Sequence, residues 1–461
     1  MTRNRRLRLG AVMAAVALMA GVPTLASAQS VIRDTEIETI LRRQADPVLE
    51  AAGLEPDDVR LLLISDQSLN AFATQGQIMG VNTGLILETE NPNQLLGVIA
   101  HEAGHLAGGH TVRGEMQRAG MTPFLLTLGL GVVAALAGAP DAGIALAGSS
   151  GYFGALGALN YSRSQEGAAD QAGLQAMERA GYSGRGLVEF FEKFRYQEVF
   201  SLDRQFPYFR AHPLSSQRID ALRRRAERLP NYNRPDPPEW QAEHELVKAK
   251  LYAFLNHPNQ TLRRYPETDT SFPARYARAI ALYRDSQIDR AVAAIDQLLE
   301  EQPDNPYLWE LKGQVLFEGG RPVEAVPAHR RSVELLPEAA LLRINLGQAL
   351  LATHEAPNVE EAIRELNRAN LIEDDNAIAW RLLSEAHAEQ GQDGMARLAA
   401  AEYQYAIGDR DQARVFALRA RDALPRGSTG WVRAVDIVLQ SGVTDEDLED
   451  LDRRNERENA S

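Results

Sequence analysis

The chain has 461 residues, no cysteine and a formal net charge of −14. That length is too great for a single hydrophobic core, so two or more domains are expected. The lack of cysteine excludes disulfides, thiolate metal ligands and a lipid anchor on an amino-terminal cysteine. The acidic balance argues against nucleic acid as a partner and against charge attraction to anionic lipid.

The first 28 residues have the pattern of a secretory signal peptide. Four arginines precede an apolar run from Ala11 to Ala20, and Ala26-Ser27-Ala28 is a small-x-small cleavage site. The alternative is an uncleaved anchor helix, which the short apolar run and its interruption by Gly21 and Pro23 disfavour. We therefore expect an exported chain cleaved after Ala28, and the absence of disulfides fits a bacterial periplasm.

The next segment predicts a helix, three strands and a second helix. The amphipathic stretch from Val31 to Ala52 predicts a helix with a kink or break at Pro47. Asn91-Pro92-Asn93 predicts the cap of a helix that begins near Gln94. The apolar runs between them predict strands at Val59–Ser65, Asn70–Thr74 and Ile78–Asn82.

The second helix contains His101-Glu102-Ala103-Gly104-His105, an H-E-x-x-H motif. This spacing places two imidazoles one turn apart on one face, with a carboxylate beside them. In zinc hydrolases the two histidines bind the metal, and the glutamate takes a proton from the metal-bound water. The motif therefore predicts a zinc-dependent peptidase with one Zn²⁺ per chain and Glu102 as the general base.

A catalytic zinc site needs a third protein ligand, and His110 is the nearest candidate. The metzincin pattern places its third histidine six residues after the second. His110 follows His105 by five, and Thr111 stands at the required position. This mismatch disfavours His110 as a ligand.

Residues 119–140 and 142–162 contain no charged side chain. Two interpretations are open: a pair of buried or mobile helices beside the active-site cleft, or a hairpin that rests on or enters a membrane. Interruptions by glycine and proline favour the first. Peripheral membrane contact through residues 119–160 stays a possibility.

A helix is predicted from Asn160 to Ala180, with Arg163, Glu166 and Asp170 on related turns. Glu166 and Asp170 share a face, and a solvated acidic face is the simplest interpretation. The small residues 167–169 instead indicate tight packing, which disfavours a carboxylate unless it is paired or metal-bound. Glu166 is therefore the better third ligand, and Asp170 would accept the second ring N–H of a ligand histidine.

Two further helices and an irregular segment follow. Gly186 to Glu198 predicts a helix with phenylalanines facing a core, and Ser216 predicts the cap of a helix that runs to about Arg228. Phe206 to Pro213 is expected to be irregular. His212 lies there, where it would stabilise an oxyanion, occupy the open position of the zinc, or have no role.

Beyond a proline-rich linker at residues 230–238 the pattern becomes repetitive. Leucine, alanine, proline and glycine recur every 34 residues, which is the tetratricopeptide (TPR) signature. Ala362 comes three residues late, which predicts a longer turn. The recurring positions are Leu282, Leu316 and Leu350, Ala291 and Ala325, Pro303 and Pro337, and Gly313 and Gly347.

Together these motifs resemble the gluzincin metalloprotease family of the HtpX and CAAX prenyl protease type. The residues that carry the resemblance are Asn70-Ala71-Phe72-Ala73, Val81-Asn82-Thr83-Gly84-Leu85, the H-E-x-x-H helix, Ser162-Arg163-x-x-Glu166-x-x-Ala169-Asp170, and His212-Pro213. The resemblance implies zinc bound by His101, His105 and Glu166, with Glu102 catalytic and His212 in the active site. It also implies that the 70–74 strand pairs with extended substrate.

In exported members with TPR repeats, the resemblance implies quality control of outer-membrane proteins. Unfolded or misassembled barrel precursors would be the substrates, and the TPR would bind them or the β-barrel assembly machinery. The rival reading is a chaperone or assembly factor whose zinc site is latent.

The sequence thus predicts a mainly α protein, with an α+β zincin-type metalloprotease domain followed by an α-solenoid. The expected boundaries are a signal peptide at 1–28, the protease domain at 29–229, a linker and first solenoid helix at 230–270, TPR repeats at 271–440 and a charged tail at 441–461.

Overall fold

The computed structural model describes residues 30–110, 163–201 and 204–442. The predicted signal peptide, the uncharged stretch 119–160 and residues 443–461 of the predicted tail lie outside these ranges. Helices predominate, and a small sheet lies in the amino-terminal domain, which confirms the predicted fold class. No helix of the described ranges combines the length and the apolar character needed to cross a membrane.

The amino-terminal domain contains four strands and seven described helices. The strands are β1 (Ser30–Ile32), β2 (Arg60–Ser65), β3 (Ala71–Thr74) and β4 (Ile78–Asn82). The helices are α1 (Thr35–Ala51), α2 (Thr83–Glu88), α3 (Pro92–Ala107), α4 (Arg163–Arg179), α5 (Arg185–Lys193), α6 (Pro207–Ala211) and α7 (Ser216–Ala226). Short 3₁₀ segments lie at Pro56–Asp58 and Arg195–Val199.

The strands form one sheet in the order β1-β2-β4-β3. β2 and β4 run parallel, whereas β1 is antiparallel to β2 and β3 is antiparallel to β4. Among the strands that the structure describes, β3 therefore forms one edge, and it lies against α3. Leu41 of α1, Val81 of β4 and Val98 of α3 belong to the same core, which fixes the metal-motif helix against the sheet.

The first predicted helix starts later than expected. Val31 and Ile32 form β1 and pair with Ile64 and Leu63 of β2, because apolar β-branched side chains suit a strand with a partner. The helix starts after Asp34, whose side chain accepts the N–H of Ile37.

Of the kink or break expected at Pro47, the break is wrong, because α1 continues through this residue. Ala45, Val48 and Leu49 around the proline are buried in the core. Their burial outweighs the one backbone hydrogen bond that proline cannot make.

The region before the linker is more helical than its sequence predicts. The segment from Phe206 to Pro213, which the sequence predicts to be irregular, contains α6. This helix begins at Pro207, because the missing N–H of proline costs least at the first position of a helix. α5 ends at Lys193 and a 3₁₀ segment replaces its predicted last turn. The cap of α7 is Ser215, not Ser216: its hydroxyl accepts the N–H of Arg218.

The solenoid follows as helices that pack in consecutive pairs. α10, α12 and α14 begin 34 residues apart, as do α11, α13 and α15, so the period of the sequence is the period of the fold. α15 starts on this spacing and has 17 residues, so the three additional residues lie in this helix and the predicted long turn is wrong. The helices are α8 (Pro238–Leu255), α9 (Pro258–Arg264), α10 (Phe272–Arg284), α11 (Ile288–Glu301), α12 (Pro306–Glu318), α13 (Pro322–Leu335), α14 (Ala340–Leu351), α15 (Ala356–Ile372), α16 (Ala377–Glu389), α17 (Asp393–Ala406), α18 (Arg410–Ala423) and α19 (Thr429–Gln440).

Helix α8 joins the two domains. Trp240 and Val247 of α8 belong to the protease core, whereas Ala249 and Ala253 belong to the core of the first repeat. One continuous helix therefore contributes to both hydrophobic cores, and this limits how far the domains can move apart.

A buried polar cluster reinforces this junction; we call it the junction cluster, formed by Asp34, Glu36, Lys250, Tyr276 and Glu310. The ammonium of Lys250 lies 2.8 Å from Asp34 and 2.9 Å from Glu36. The Tyr276 hydroxyl donates to Glu36 at 3.0 Å. The start of α1 is thus bound to the linker helix and to the first repeats.

Candidate active site

The H-E-x-x-H residues lie on α3, which is buried from Pro92 to His105. Asn91 caps the helix, because its side chain accepts the N–H of Gln94 at 2.9 Å. Buried positions on every side indicate a helix enclosed by other elements. The motif therefore lies inside the domain, between the sheet and α4.

Helices α3 and α4 touch backbone to backbone. A Cβ atom at Gly104 would lie 2.6 Å from the carbonyl oxygen of Ala169, and one at Gly173 would lie 2.8 Å from that of Ala100. No real side chain tolerates such distances, so only glycine permits this approach. The close crossing brings Glu166 of α4 to the histidines of α3.

Four buried side chains converge here: His101, His105, Glu166 and His212. One nitrogen or oxygen from each lies within 4.8 Å of the others. Nε2 of His105 is 3.1 Å from Nε2 of His101, which is 3.3 Å from Nδ1 of His212. Oε1 of Glu166 is 3.1 Å from Nδ1 of His212 and 3.5 Å from Nε2 of His105.

This donor set fits a metal ion. Three imidazole nitrogens and a carboxylate oxygen, all buried, point at a common centre. A shared cation can accept a lone pair from each of the four donors at once. The residues are those that bind first-row divalent metals in proteins.

The electrostatics of the ligands favour a cation at this centre. Burial lowers the pKa of His105 to about 3, so its ring is neutral and able to coordinate. Burial also disfavours the protonated form of His101. Hydrogen bonds to Asp170 and Glu166 stabilise that form more strongly, and they raise the pKa of His101 to about 9. Burial would raise the pKa of Glu166, but His212 and Arg218 hold it far below its usual range.

Asp170 and Arg218 support the ligands from behind. Oδ1 of Asp170 is 3.0 Å from Nδ1 of His101, on the ring edge that faces away from the centre. Arg218 binds both oxygens of Asp170 at 2.8 Å, and its Nη1 lies 2.7 Å from Oε2 of Glu166. One guanidinium thus orients a candidate ligand and the carboxylate that holds another.

Glu102 is fully buried beside the centre but is not one of the four donors. Its Oε1 lies 3.4 Å from Nε2 of His212, and neither of its oxygens has a hydrogen-bond partner within the described residues. A buried carboxylate in this position can accept a proton from a bound water, as a general base requires.

His212 caps α6, and Tyr208 of the same helix stacks on it. The ring centroids are 4.6 Å apart with 29° between the planes, and the His212 N–H donates to the Tyr208 carbonyl at 2.8 Å. The N–H of Tyr208 donates to the carbonyl of Leu69, just before β3. The stack and this hydrogen bond thus connect the imidazole to the residue just before the edge strand.

The segment predicted to bind substrate, Asn70-Ala71-Phe72-Ala73, enters and forms most of the edge strand β3. Its side chains are buried, and the Asn70 carbonyl accepts the N–H of Asn82 on β4 at 3.0 Å. The strand lies against α3, so it runs past the metal-motif helix.

Sequence reasoning missed Arg218 and Tyr208. Arg163, which the sequence places on turns related to those of Glu166 and Asp170, has an exposed side chain, and among the described residues the guanidinium on these two carboxylates is that of Arg218. The available signal was charge balance: two carboxylates on a packed helix face require a buried cation nearby. His110 lies outside the four-donor group and next to His105.

Two parts of the chain match known protein families. Residues 32–226 match peptidase family M48, and residues 276–340 match a tetratricopeptide repeat family. The chain therefore carries a peptidase family M48 domain followed by tetratricopeptide repeats, and its amino-terminal domain is a metalloprotease domain.

Several relatives that match most of this chain have the same name. The beta-barrel assembly-enhancing protease of Escherichia coli K12 is 25% identical over 76% of this chain and 72% of its own length. The protein of that name from Yersinia pestis is 24% identical over 71% of this chain and 68% of its own length. The metalloprotease YcaL of E. coli K12 is 33% identical over 37% of this chain and 62% of its own length.

Proposed function

We propose that the protein is a periplasmic zinc metalloendopeptidase that degrades misassembled outer-membrane β-barrel proteins and assists their assembly. One observation supports the chemistry above all: His101, His105 and Glu166 converge with a buried general base, Glu102, beside them. The signal-peptide pattern of residues 1–28 and the names of the relatives support the location and the substrate class.

His101, His105 and Glu166 would hold the zinc. The bound metal would polarise a peptide carbonyl and make water a better nucleophile. Glu102 would accept the proton of the attacking water and pass it to the leaving amine. Arg218 and Asp170 would keep the ligands oriented throughout.

The edge strand β3 favours a substrate that binds in an extended conformation. A polypeptide that pairs with β3 adds a strand to the sheet and passes α3, which carries the catalytic motif. Folded proteins rarely offer a free extended segment, so this mode selects unfolded or stalled barrel precursors. The repeats would bind the precursor or the assembly machinery and raise its local concentration at the cleft.

A second candidate is a chaperone or assembly factor whose metal site is latent. His212 favours it, because its Nδ1 lies among the four donors and would fill the position that water needs. In the active enzyme the same imidazole would instead turn toward the substrate oxyanion.

The test uses residues 29–461 loaded with zinc and an unfolded outer-membrane barrel protein as substrate. Cleavage by the wild type and none by Glu102→Gln, with zinc still bound to both, supports the peptidase. Cleavage that rises in His212→Ala supports latency. Zinc binding without cleavage by the wild type or by His212→Ala would overturn the peptidase and leave the chaperone.

A further inference from the structure

The carboxyl end of α3 is a tight turn that folds His110 back onto His105. The N–H of His110 donates to the carbonyl of His105 at 3.1 Å, and the N–H of Gly109 donates to that of Leu106 at 3.0 Å. Gly109 has a φ of +63°. These two hydrogen bonds, together with the left-handed conformation of Gly109, define a Schellman motif. A contact between the side chains at the positions of His110 and His105 frequently accompanies this motif.

The two side chains meet through ring nitrogens. Nδ1 of His110 lies 3.1 Å from Nδ1 of His105, and the ring planes are inclined by 73°. The opposite nitrogen of His105, Nε2, faces His101 and Glu166. A histidine that binds a metal through Nε2 carries its proton on Nδ1, and that N–H needs an acceptor.

We propose that His110 is a positioning residue for His105. Its Nδ1 accepts the Nδ1–H of His105 and thereby fixes the tautomer and the ring orientation in which Nε2 faces the metal. His101 already has such an acceptor in Asp170. The two histidines of the H-E-x-x-H motif are then supported alike, one by a carboxylate and one by an imidazole. The inference rests on the metal site of the proposed function.

Gly108 provides an independent observation. A Cβ atom at this residue would lie 2.7 Å from Nε2 of His110. The φ of Gly108 is −76°, which any residue adopts, so no left-handed conformation requires glycine here. The carbonyl oxygen of Gly104 would lie 3.0 Å from the same Cβ atom, so the ring of His110 is the tightest contact. The ring of His110 occupies the space that a side chain at Gly108 would need.

The experiment measures zinc affinity by competition with a chelator, on residues 29–461. We expect His110→Ala to weaken zinc binding about 10–100-fold, the range typical of lost support behind a ligand histidine. His110→Asn presents an acceptor oxygen close to the position of Nδ1 and should restore most of the affinity. His354→Ala removes an exposed histidine of the solenoid and should change nothing.

Gly108→Ala tests the same contact by adding a methyl group against the ring of His110. It should weaken zinc binding in the same direction, and the double variant with His110→Ala should bind zinc no more weakly than His110→Ala alone, since both changes remove one interaction. The absorption spectrum of bound Co²⁺ should shift in His110→Ala and return in His110→Asn, because the spectrum reports ligand geometry.

Three outcomes would overturn the inference. One is a His110→Ala chain that binds zinc as tightly as the wild type. Another is a His110→Asn chain that melts like the wild type but fails to recover affinity. The third is a wild-type chain that binds no zinc, which would overturn the metal assignment as well. Loss of cleavage with unchanged zinc affinity would count against the inference and leave the peptidase proposal standing.

Discussion

Arg218 donates hydrogen bonds to both carboxylate oxygens of Asp170, each at 2.8 Å, although the two residues are 48 positions apart in the sequence. The same guanidinium reaches Glu166 at 2.7 Å, and all three side chains are buried or nearly so. This pairing explains how α4 can bury two acidic groups on one face. Neither carboxylate would stay ionised there without a cation of fixed geometry.

Arg218→Lys should therefore weaken zinc binding about 10–100-fold, because lysine keeps the charge but cannot bind two carboxylates through a planar fork. Isothermal titration with Zn²⁺ measures the effect. Arg225→Lys changes an exposed arginine two turns further along the same helix, is the matched control and should bind as the wild type does. Equal affinity of Arg218→Lys would show that charge alone supports the ligands.

The Tyr208 ring should matter for stability more than its hydroxyl. Burial and the nearby Glu102 raise the pKa of Tyr208 well above its usual value, and the hydroxyl has no hydrogen-bond partner within the described residues. Tyr208→Ala should cost about 3–5 kcal/mol through the cavity it leaves, whereas Tyr208→Phe should cost less than about 1 kcal/mol.

Urea unfolding of the two Tyr208 variants, with the exposed Tyr196→Phe as control, measures this difference. If Tyr208→Phe is as stable as the wild type yet fails to cleave, the hydroxyl takes part in the reaction.

Lys250 should be a major contributor to the domain junction. Its ammonium is buried against Asp34 and Glu36, so Lys250→Met would leave two carboxylates without their cation. We expect a loss of about 3–5 kcal/mol in the free energy of unfolding. Lys312→Met removes a surface ion pair with Asp296 and should cost no more than about 1 kcal/mol. Similar losses for both variants would contradict a special role for the junction cluster.

The junction cluster should also make stability depend on pH. Burial raises the pKa of Glu36 and of Glu310 above the ordinary 4.5, although Lys250 opposes the shift. These carboxyls keep protons in the folded chain that the unfolded chain has already released. Above pH 4.5 these two groups therefore bind more protons in the folded state, and the stability that they contribute falls as pH rises toward the raised values.

His244 and His329, whose pKa values burial lowers to about 4, act in the opposite direction, so the contribution of the cluster is measured as a difference between variants. Between about pH 5 and about pH 8, the unfolding midpoint of Glu310→Gln should rise relative to that of the wild type as pH increases, whereas the exposed Glu300→Gln should keep a constant difference from the wild type. A slope identical in the wild type and Glu310→Gln would remove Glu310 from the explanation.

What the sequence predicted well depends on local spacing. The relation of His101, Glu102 and His105 follows from helix geometry alone, and the 34-residue period of the solenoid is a repeat of the chain itself. The sequence does not specify which distant segments meet. The partnership of Arg218 with Asp170, and the strand formed by Val31 and Ile32, exist only because tertiary packing brings their partners alongside.

The residues that escaped prediction share this physical reason. Tyr208 looks like any core aromatic until His212 is placed against it, and His110 looks like a failed metal ligand until the turn at Gly109 folds it back. Each interacts with a residue only four or five positions away, but the contact requires a turn or stack that a spacing rule does not encode.

The glycines where α3 crosses α4 bear on which mutations the protein can accept. At Gly104 and Gly173 main chain meets main chain, so there is no side chain at the crossing whose rotamer could absorb a change. An added methyl group would move a whole helix, and with it Glu166. A lineage of this enzyme can exchange many of its core side chains for others of similar volume. It has almost no freedom at these two positions, although neither takes any part in the chemistry.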